Sequence, residues 1–197
     1  MRFDRTPVDL LNAEKPFTDG GKPIGLTALD YWRFQFSNIW DAQEEVAEFI
    51  VAKALEMDLP FNKNGWTPYD IDYKGKRVEV KATSYFHSWR GEGEVSQQRV
   101  FSIAEAYGQH NESRETPERL NDVYVFCLNT GETKEDSDPF EMNHWEFYVI
   151  PTTVINRLCG KNKTISLGRV RTITNRPHGI DYAALKAAVD IAIGLSL

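Results

Sequence analysis

Asp70, Glu79 and Lys81 are the residues of this chain whose types and spacing could do chemistry. They lie in the run Tyr69-Asp70-Ile71-Asp72-Tyr73-Lys74-Gly75-Lys76-Arg77-Val78-Glu79-Val80-Lys81, whose alternation reads as two strands. Asp70, Asp72, Arg77, Glu79 and Lys81 fall on one phase, and Tyr69, Ile71, Tyr73, Val78 and Val80 on the other. Gly75 marks the turn. A two-residue loop at Lys74-Gly75 sets Tyr73 opposite Lys76 and, counting outward, Asp72 opposite Arg77, Ile71 opposite Val78 and Asp70 opposite Glu79. A slip of one residue would mix charged and apolar side chains on each face, so the pattern selects the first register. In that register the Asp70 and Glu79 Cβ atoms come within about 4.5 to 5.5 Å, where like charges repel. A divalent cation would turn this repulsion into a site, since Mg2+ commonly takes one or two carboxylates together with waters and phosphate oxygens. Facing carboxylates beside a lysine suit metal-dependent phosphodiester hydrolysis. The competing reading is structural: Lys81, two residues along the same face, offsets both charges in a surface network.

Several elements must position these residues. A helix is expected from about Asp41 to Met57, with Val46, Ile50, Ala54 and Met57 as its apolar stripe and Ala47, Val51 and Leu55 widening it. Glu44 and Glu48 continue the Val51 and Leu55 row by one-turn steps, which puts them at the edge of the buried arc. Residues 1 to 24 read as an arm with little structure of its own. Thr27 then caps a short helix whose Tyr31, Trp32, Phe34 and Phe36 read as packing anchors. Beyond the hairpin, residues 82 to 89 continue as strand, and 99 to 104 form another apolar segment. Residues 107 to 121 read as an exposed loop, and 123 to 129 and 145 to 150 as strands. Pro151 suits a first helical turn, Gly160 closes a helix over 154 to 159, residues 163 to 167 suggest a strand, and 181 to 193 a final helix. The order predicts one domain over residues 1 to 197 of the α/β (α+β) class, a central mixed β-sheet flanked by helices.

Composition narrows the setting. With 23 basic and 29 acidic residues the net charge is −6, which argues against coating nucleic acid through bulk electrostatics. Residues 70 to 90 are nevertheless locally basic, with Lys74, Lys76, Arg77, Lys81 and Arg90, as a confined phosphate site requires. No apolar run approaches the ~20 residues of a membrane span, and the N-terminus lacks the apolar core of a signal peptide, so no membrane partner and a cytoplasmic location are expected. Cys127 and Cys159 read as small core residues, and the four histidines form no ligand pattern.

The letters Glu-x-Lys recur as decoys. Glu132-Thr133-Lys134 lies in an acidic loop without strand periodicity, and Asp72-Tyr73-Lys74 puts its lysine in the turn and Asp72 opposite Arg77. Only the 70 to 81 set joins strand context, facing carboxylates and a preceding acidic helix. A helix bearing a glutamate, a strand with Asp, then a strand with Glu-x-Lys resembles the PD-(D/E)xK nuclease superfamily, the restriction-endonuclease-like fold, over about residues 41 to 129. Further runs, among them Ala47 to Ala52 and Trp145 to Pro151, are similar to a family of bacterial proteins.

The resemblance implies a Mg2+-dependent endonuclease, with Mn2+ as substitute metal and DNA as the expected substrate. Asp70, Glu79 and Lys81 would take the motif positions, with Glu48 as the first-helix acid; Asp70, Glu79, the Val80 carbonyl and Glu48 would hold metal. The motif proline is displaced, since Pro68 precedes Tyr69 and not Asp70. Lys74, Lys76, Arg77, Arg90 and Arg99 are candidates for neighbouring phosphates, and Tyr85 and Trp89 for sugar or base. The alternative class is a catalytically inactive nuclease-fold module that binds nucleic acid or a protein partner. A homodimer would suit cutting both strands.

Overall fold

Side-chain alternation and turn chemistry set the hairpin's register. The structure, a computed structural model, describes residues 12–58, 68–88, 99–108 and 115–194. Two exposed strands, β1 (Pro16–Asp19) and β2 (Lys22–Thr27), precede helix α1 (Ala28–Gln35), a 3₁₀ turn (Ile39–Asp41) and helix α2 (Gln43–Ala54). The candidate hairpin is β3 (Ile71–Tyr73) and β4 (Lys76–Ser84), paired antiparallel as Ile71 with Val78, Asp72 with Arg77 and Tyr73 with Lys76. Lys74 and Gly75 both take positive φ, 53° and 75°, the two-residue turn whose twist matches paired strands. A Cβ at position 75 would meet nothing within 4 Å, so only backbone strain opposes one. Gly75→Ala should therefore cost about 1 to 2 kcal/mol, read as a lowered melting temperature with the fold unchanged.

The remaining elements are β5 (Val100–Ser102), β6 (Val123–Asn129), β7 (Trp145–Pro151), α3 (Thr152–Cys159), β8 (Thr164–Ser166), α4 (Leu167–Thr174) and α5 (Tyr182–Gly194). The central sheet runs β3-β4-β6-β7, with β4 and β6 parallel and the other two pairs antiparallel. β5 and β8 form a separate antiparallel pair. This is a mixed α/β fold with helices on both faces of a mixed sheet. β6 is buried along its whole length because both faces are covered, which explains its unbroken apolar run.

Alternation splits the core into two layers. Ile71, Tyr73, Val78, Val80, Val125 and Phe147 face α2 and α5, and Tyr124, Phe126, Leu128, Tyr148 and Ile150 face α3, α4, Phe101 and Ile165. Cys127 and Cys159 are free and buried, as small core residues should be. No helix among the described residues is long and apolar enough to cross a membrane.

Two expectations are corrected and one element is added. The expected arm over residues 1 to 24 carries a hairpin over residues 16 to 27, turned by Gly20 and Gly21 at positive φ, and residues 1 to 11 lie outside the described residues. Thr27 does cap α1, reciprocally with Asp30, yet Tyr31, Phe34 and Phe36 are exposed, so they are not packing anchors within this chain. Helix α4 replaces an unassigned stretch, capped by the Ser166 side chain accepting from the Arg169 N–H.

Candidate functional site

β3 begins at Ile71, opposite Val78, while β4 runs on to Ser84, so among the described residues no strand pairs with the second half of β4 on the β3 side. Asp70 sits where β3 would have continued. Its N–H donates to the Val78 carbonyl at 3.1 Å, and its carboxylate accepts from the Val80 N–H at 2.7 Å. The Asp70 side chain thus occupies the place of a backbone acceptor, and strand geometry directs the Val80 carbonyl to that same edge.

Glu79 and Lys81 project from the face of β4 opposite Val78 and Val80, at the rim of the second core layer. Lys81 Nζ lies 2.9 Å from a Glu79 oxygen and 3.4 Å from a Glu44 oxygen on α2. Side-chain exposure is 18% for Glu79 and 21% for Lys81 but 55% for Glu44, so the inner pair is the partly desolvated one. Burial, reinforced by the Asp70 charge and only partly offset by Lys81, pushes the Glu79 carboxyl up to about 7. Burial alone would lower the Lys81 ammonium, yet Glu79, Asp70 and Glu44 together hold it above its ordinary value, so it stays charged at neutral pH. Tyr124, level with Glu79 on β6, is pushed up to about 12 by burial and then by the Glu79 charge, so its hydroxyl keeps its proton.

The structure brings Asp70, Glu79, Val80 and Lys81 together. Glu48 is buried on α2, but among the described residues no three His, Cys, Asp or Glu side chains converge as a metal-holding group. One turn earlier on the same row, Glu44 meets the lysine at 3.4 Å. The helical spacing supplied both residues, and no local signal ranks them.

A raised Glu79 carboxyl has a consequence for stability. The folded state holds the proton more tightly than the unfolded chain, so the contribution is full below the ordinary carboxylate value and is lost as pH rises through about 7. The stability of the wild type relative to Glu79→Gln should then fall between about pH 5 and about pH 8, measured by thermal melting without divalent metal. A difference that stays flat over that range overturns the assignment.

Asp70 and Glu79 open onto a cleft of about 310 Å3, walled by Tyr69, Tyr124, Ala104, Ala106 and residues 118 to 121. This corrects the expectation that residues 107 to 121 are an exposed loop: Arg119, Leu120 and Asn121 are buried, and Ala106 and Glu118 exchange backbone hydrogen bonds at 2.9 and 3.0 Å. Residues 109 to 114, also within that expectation, lie outside the described residues. Arg119 holds the wall. Its guanidinium donates to the carbonyls of Ile103 (2.7 Å), Gly160 (2.8 Å) and Asn162 (2.9 Å) and to Asn156 Oδ1 (2.7 Å). Sequence reasoning missed it, since an arginine in a polar stretch carries no sign of burial.

The proposed phosphate contacts divide. Lys74 is paired with Asp190 on α5 at 2.5 Å, and Arg77 donates to the Leu120 carbonyl at 3.1 Å. Arg99 stacks over the Tyr85 ring at 3.9 Å, and Tyr85 lies 3.5 Å from Arg171, which also meets Tyr148 and Glu146. Trp89 and Arg90 lie outside the described residues. The decoy Glu132-Thr133-Lys134 belongs to no strand. A larger cavity of about 640 Å3, walled by Phe36, Phe49, Phe140 and Met142 and also lined by Glu45 and Lys53, is largely apolar.

Neither a protein-family model nor a curated protein sequence matches the chain. The site must therefore be judged on its own chemistry. Two hard carboxylates and a backbone carbonyl at one strand edge, with a carboxyl that burial and its neighbour disfavour as an anion, form a donor set that fits Mg2+ or Mn2+.

Proposed function

We propose that this chain is a metal-dependent nuclease of the PD-(D/E)xK type that hydrolyses phosphodiester bonds in DNA. The observation that carries the reading is the convergence of Asp70 and Glu79 on one cleft, with the Lys81 ammonium 2.9 Å from Glu79. Asp70, Glu79 and the Val80 carbonyl would hold Mg2+, or Mn2+ in its place. Bound there, the ion would supply Lewis-acid polarisation of the phosphate and a water of lowered pKa.

The chain's own groups do the remaining work. The Val80 N–H fixes the Asp70 carboxylate, so one oxygen is oriented before any substrate arrives. A divalent cation held by Asp70 and Glu79 would offset their mutual repulsion and favour the deprotonated Glu79 carboxylate beyond what Lys81 alone achieves. Lys81 keeps its proton, and Glu44 steadies it from α2, leaving a fixed cation to donate to a phosphoryl oxygen as negative charge builds.

One observation favours a second reading. Lys81 already neutralises Glu79 without metal, as it would in an inactive nuclease-fold module. Metal titration separates the two. A working site should be stabilised by Mg2+ or Mn2+, by about 2.7 kcal/mol at a hundredfold excess over Kd, and a site closed by Lys81 should not. The direct experiment incubates the full chain with plasmid and single-stranded DNA and either metal. Metal-dependent cleavage that disappears with EDTA is expected, and intact substrates under every condition would overturn the reading.

A further inference from the structure

Residues 151 to 180 carry six Lys and Arg side chains (Arg157, Lys161, Lys163, Arg169, Arg171 and Arg176) and no Asp or Glu, in a chain whose net charge is −6. The stretch forms α3, β8, α4 and the turn that follows. Its Ile155, Ile165, Leu167 and Val170 join Tyr124, Phe126 and Tyr148 in one core layer, and Glu79 and Lys81 lie level with Tyr124 and Phe126 on that face of the sheet. The basic stretch therefore covers the face that carries the candidate site. Arg171 is committed to Glu146 and Tyr148. Arg157, Lys161, Lys163, Arg169 and Arg176 are exposed, and among the described residues none of the five forms an ion pair.

Four of these five charges lie together. The Arg169 guanidinium donates to the Leu158 carbonyl at 3.4 Å, which brings the first turn of α4 against the end of α3, beside Arg157. The loop from α3 to β8 turns its carbonyls inward: Gly160 and Asn162 accept from Arg119 at 2.8 and 2.9 Å, and Lys163 accepts from the Ile103 N–H at 2.9 Å. Lys161 and Lys163 thus face solvent from a backbone that is already fixed. What fixes it is the wall of the cleft that holds Asp70 and Glu79, since Arg119 and Ala104, the neighbour of Ile103, line that cleft.

We propose that this basic face binds the sugar-phosphate backbone of the nucleic acid strand as it leaves the candidate site. The inference rests on the nuclease reading for its ligand and adds where the rest of the substrate is held. An acidic chain that acts on a polyanion needs its positive charge concentrated, and here the concentration lies beside the cleft. Such contacts neutralise phosphates without reading bases, so binding is indifferent to sequence and steeply dependent on salt. An anionic membrane fits less well, because Leu158 is the only large apolar side chain exposed between residues 151 and 180, and a membrane-surface helix needs an apolar face to insert.

The test measures binding of a fluorescently labelled DNA oligonucleotide, single-stranded and duplex, to the full chain in EDTA by anisotropy over a range of salt concentrations. Wild type is compared with two charge-matched variants built at exposed positions. Lys161→Gln/Lys163→Gln/Arg169→Gln empties the face, and Lys15→Gln/Lys22→Gln/Arg33→Gln removes the same charge around β1, β2 and α1. The first variant should weaken binding about tenfold or more and lower the slope of log Kd against log salt by about 2 to 3, and the second should stay within about twofold of wild type. Equal loss in both variants, or loss in neither, overturns the inference, as does a wild type that binds anionic phospholipid vesicles and not DNA, or neither. Cleavage assayed with Mg2+ keeps the two readings apart. Metal-dependent cleavage together with unchanged binding in the first variant overturns the basic face and leaves the nuclease reading intact. Binding that the first variant alone loses, in a protein that cleaves nothing, supports the face and overturns the nuclease reading.

Discussion

Replacing Lys81 with methionine is expected to lower metal-dependent cleavage by about 10²- to 10³-fold in kcat, with KM changed little. Methionine keeps most of the buried stem and removes only the ammonium, so the loss reports the charge. That charge is in place before substrate binds, because Glu79 and Glu44 hold it at 2.9 and 3.4 Å. A cation already oriented toward the reacting phosphate needs no reorganisation in the transition state, which is why a single donor of this kind carries about 2.7 to 4 kcal/mol. Glu79→Ala should lose at least as much, since it removes one of the two facing carboxylates. The variants should differ without metal. Lys81→Met leaves Asp70, Glu79 and Glu44 with no cation among them and should melt lower near neutral pH, with the deficit shrinking on acidification or addition of Mg2+. Glu79→Ala removes the repulsion with Asp70 and should lose most of its response to Mg2+. Turnover within twofold of wild type in both variants, each folded to the same extent, would sink the site assignment.

Arg119→Met should cost about 3 to 5 kcal/mol of stability, the largest structural effect expected in the described part of the molecule. The guanidinium is fully enclosed and donates to four acceptors, three of them backbone carbonyls, with Glu105 3.9 Å away. Removing it strands those acceptors in a site that water reaches poorly, and each unsatisfied buried group costs about 1 to 3 kcal/mol. Arg119→Lys should recover little, because one ammonium cannot span acceptors spread around a planar fork. Urea unfolding measures the loss. A cost below about 1 kcal/mol would show that the acceptors find water and that the cleft wall is not held by this residue.

The two effects read different levels of organisation. Lys81 is found by a motif, because strand alternation places it two residues from Glu79 and on the same face. Arg119 is found only by folding, since its acceptors come from residues 103, 156, 160 and 162, brought together by β5, α3 and the turn that follows it. The same division explains Glu44 and Glu48. Helical spacing puts both on one row, but the 3.4 Å approach of Glu44 to Lys81 depends on where α2 sits along β4, set by the packing of Ala47, Val51 and Leu55 against the sheet.

The exposed stretch from Phe17 to Phe36 makes the converse point. Tyr31, Trp32, Phe34 and Phe36 read as anchors from the sequence, yet Phe34 is 77% exposed, because among the described residues β1, β2 and α1 pack chiefly on one another. Composition reports the capacity to bury surface and not whether a partner surface is within reach.

By itself the sequence determined what is local: the turn at Lys74-Gly75, the register that pairs Ile71 with Val78 and Asp72 with Arg77, the phase of Lys81, and the caps at Thr27 and Gly160. These follow from backbone sterics and two-residue alternation, which act over a few residues and need no partner. Tertiary structure alone decided the parallel pairing of β4 with β6, the burial that raises the Glu79 carboxyl, the approach of Glu44 to Lys81, and the wall that Arg119 holds. Each of those depends on desolvation and on contacts between segments far apart in the chain, and neither is encoded in the spacing of neighbouring residues.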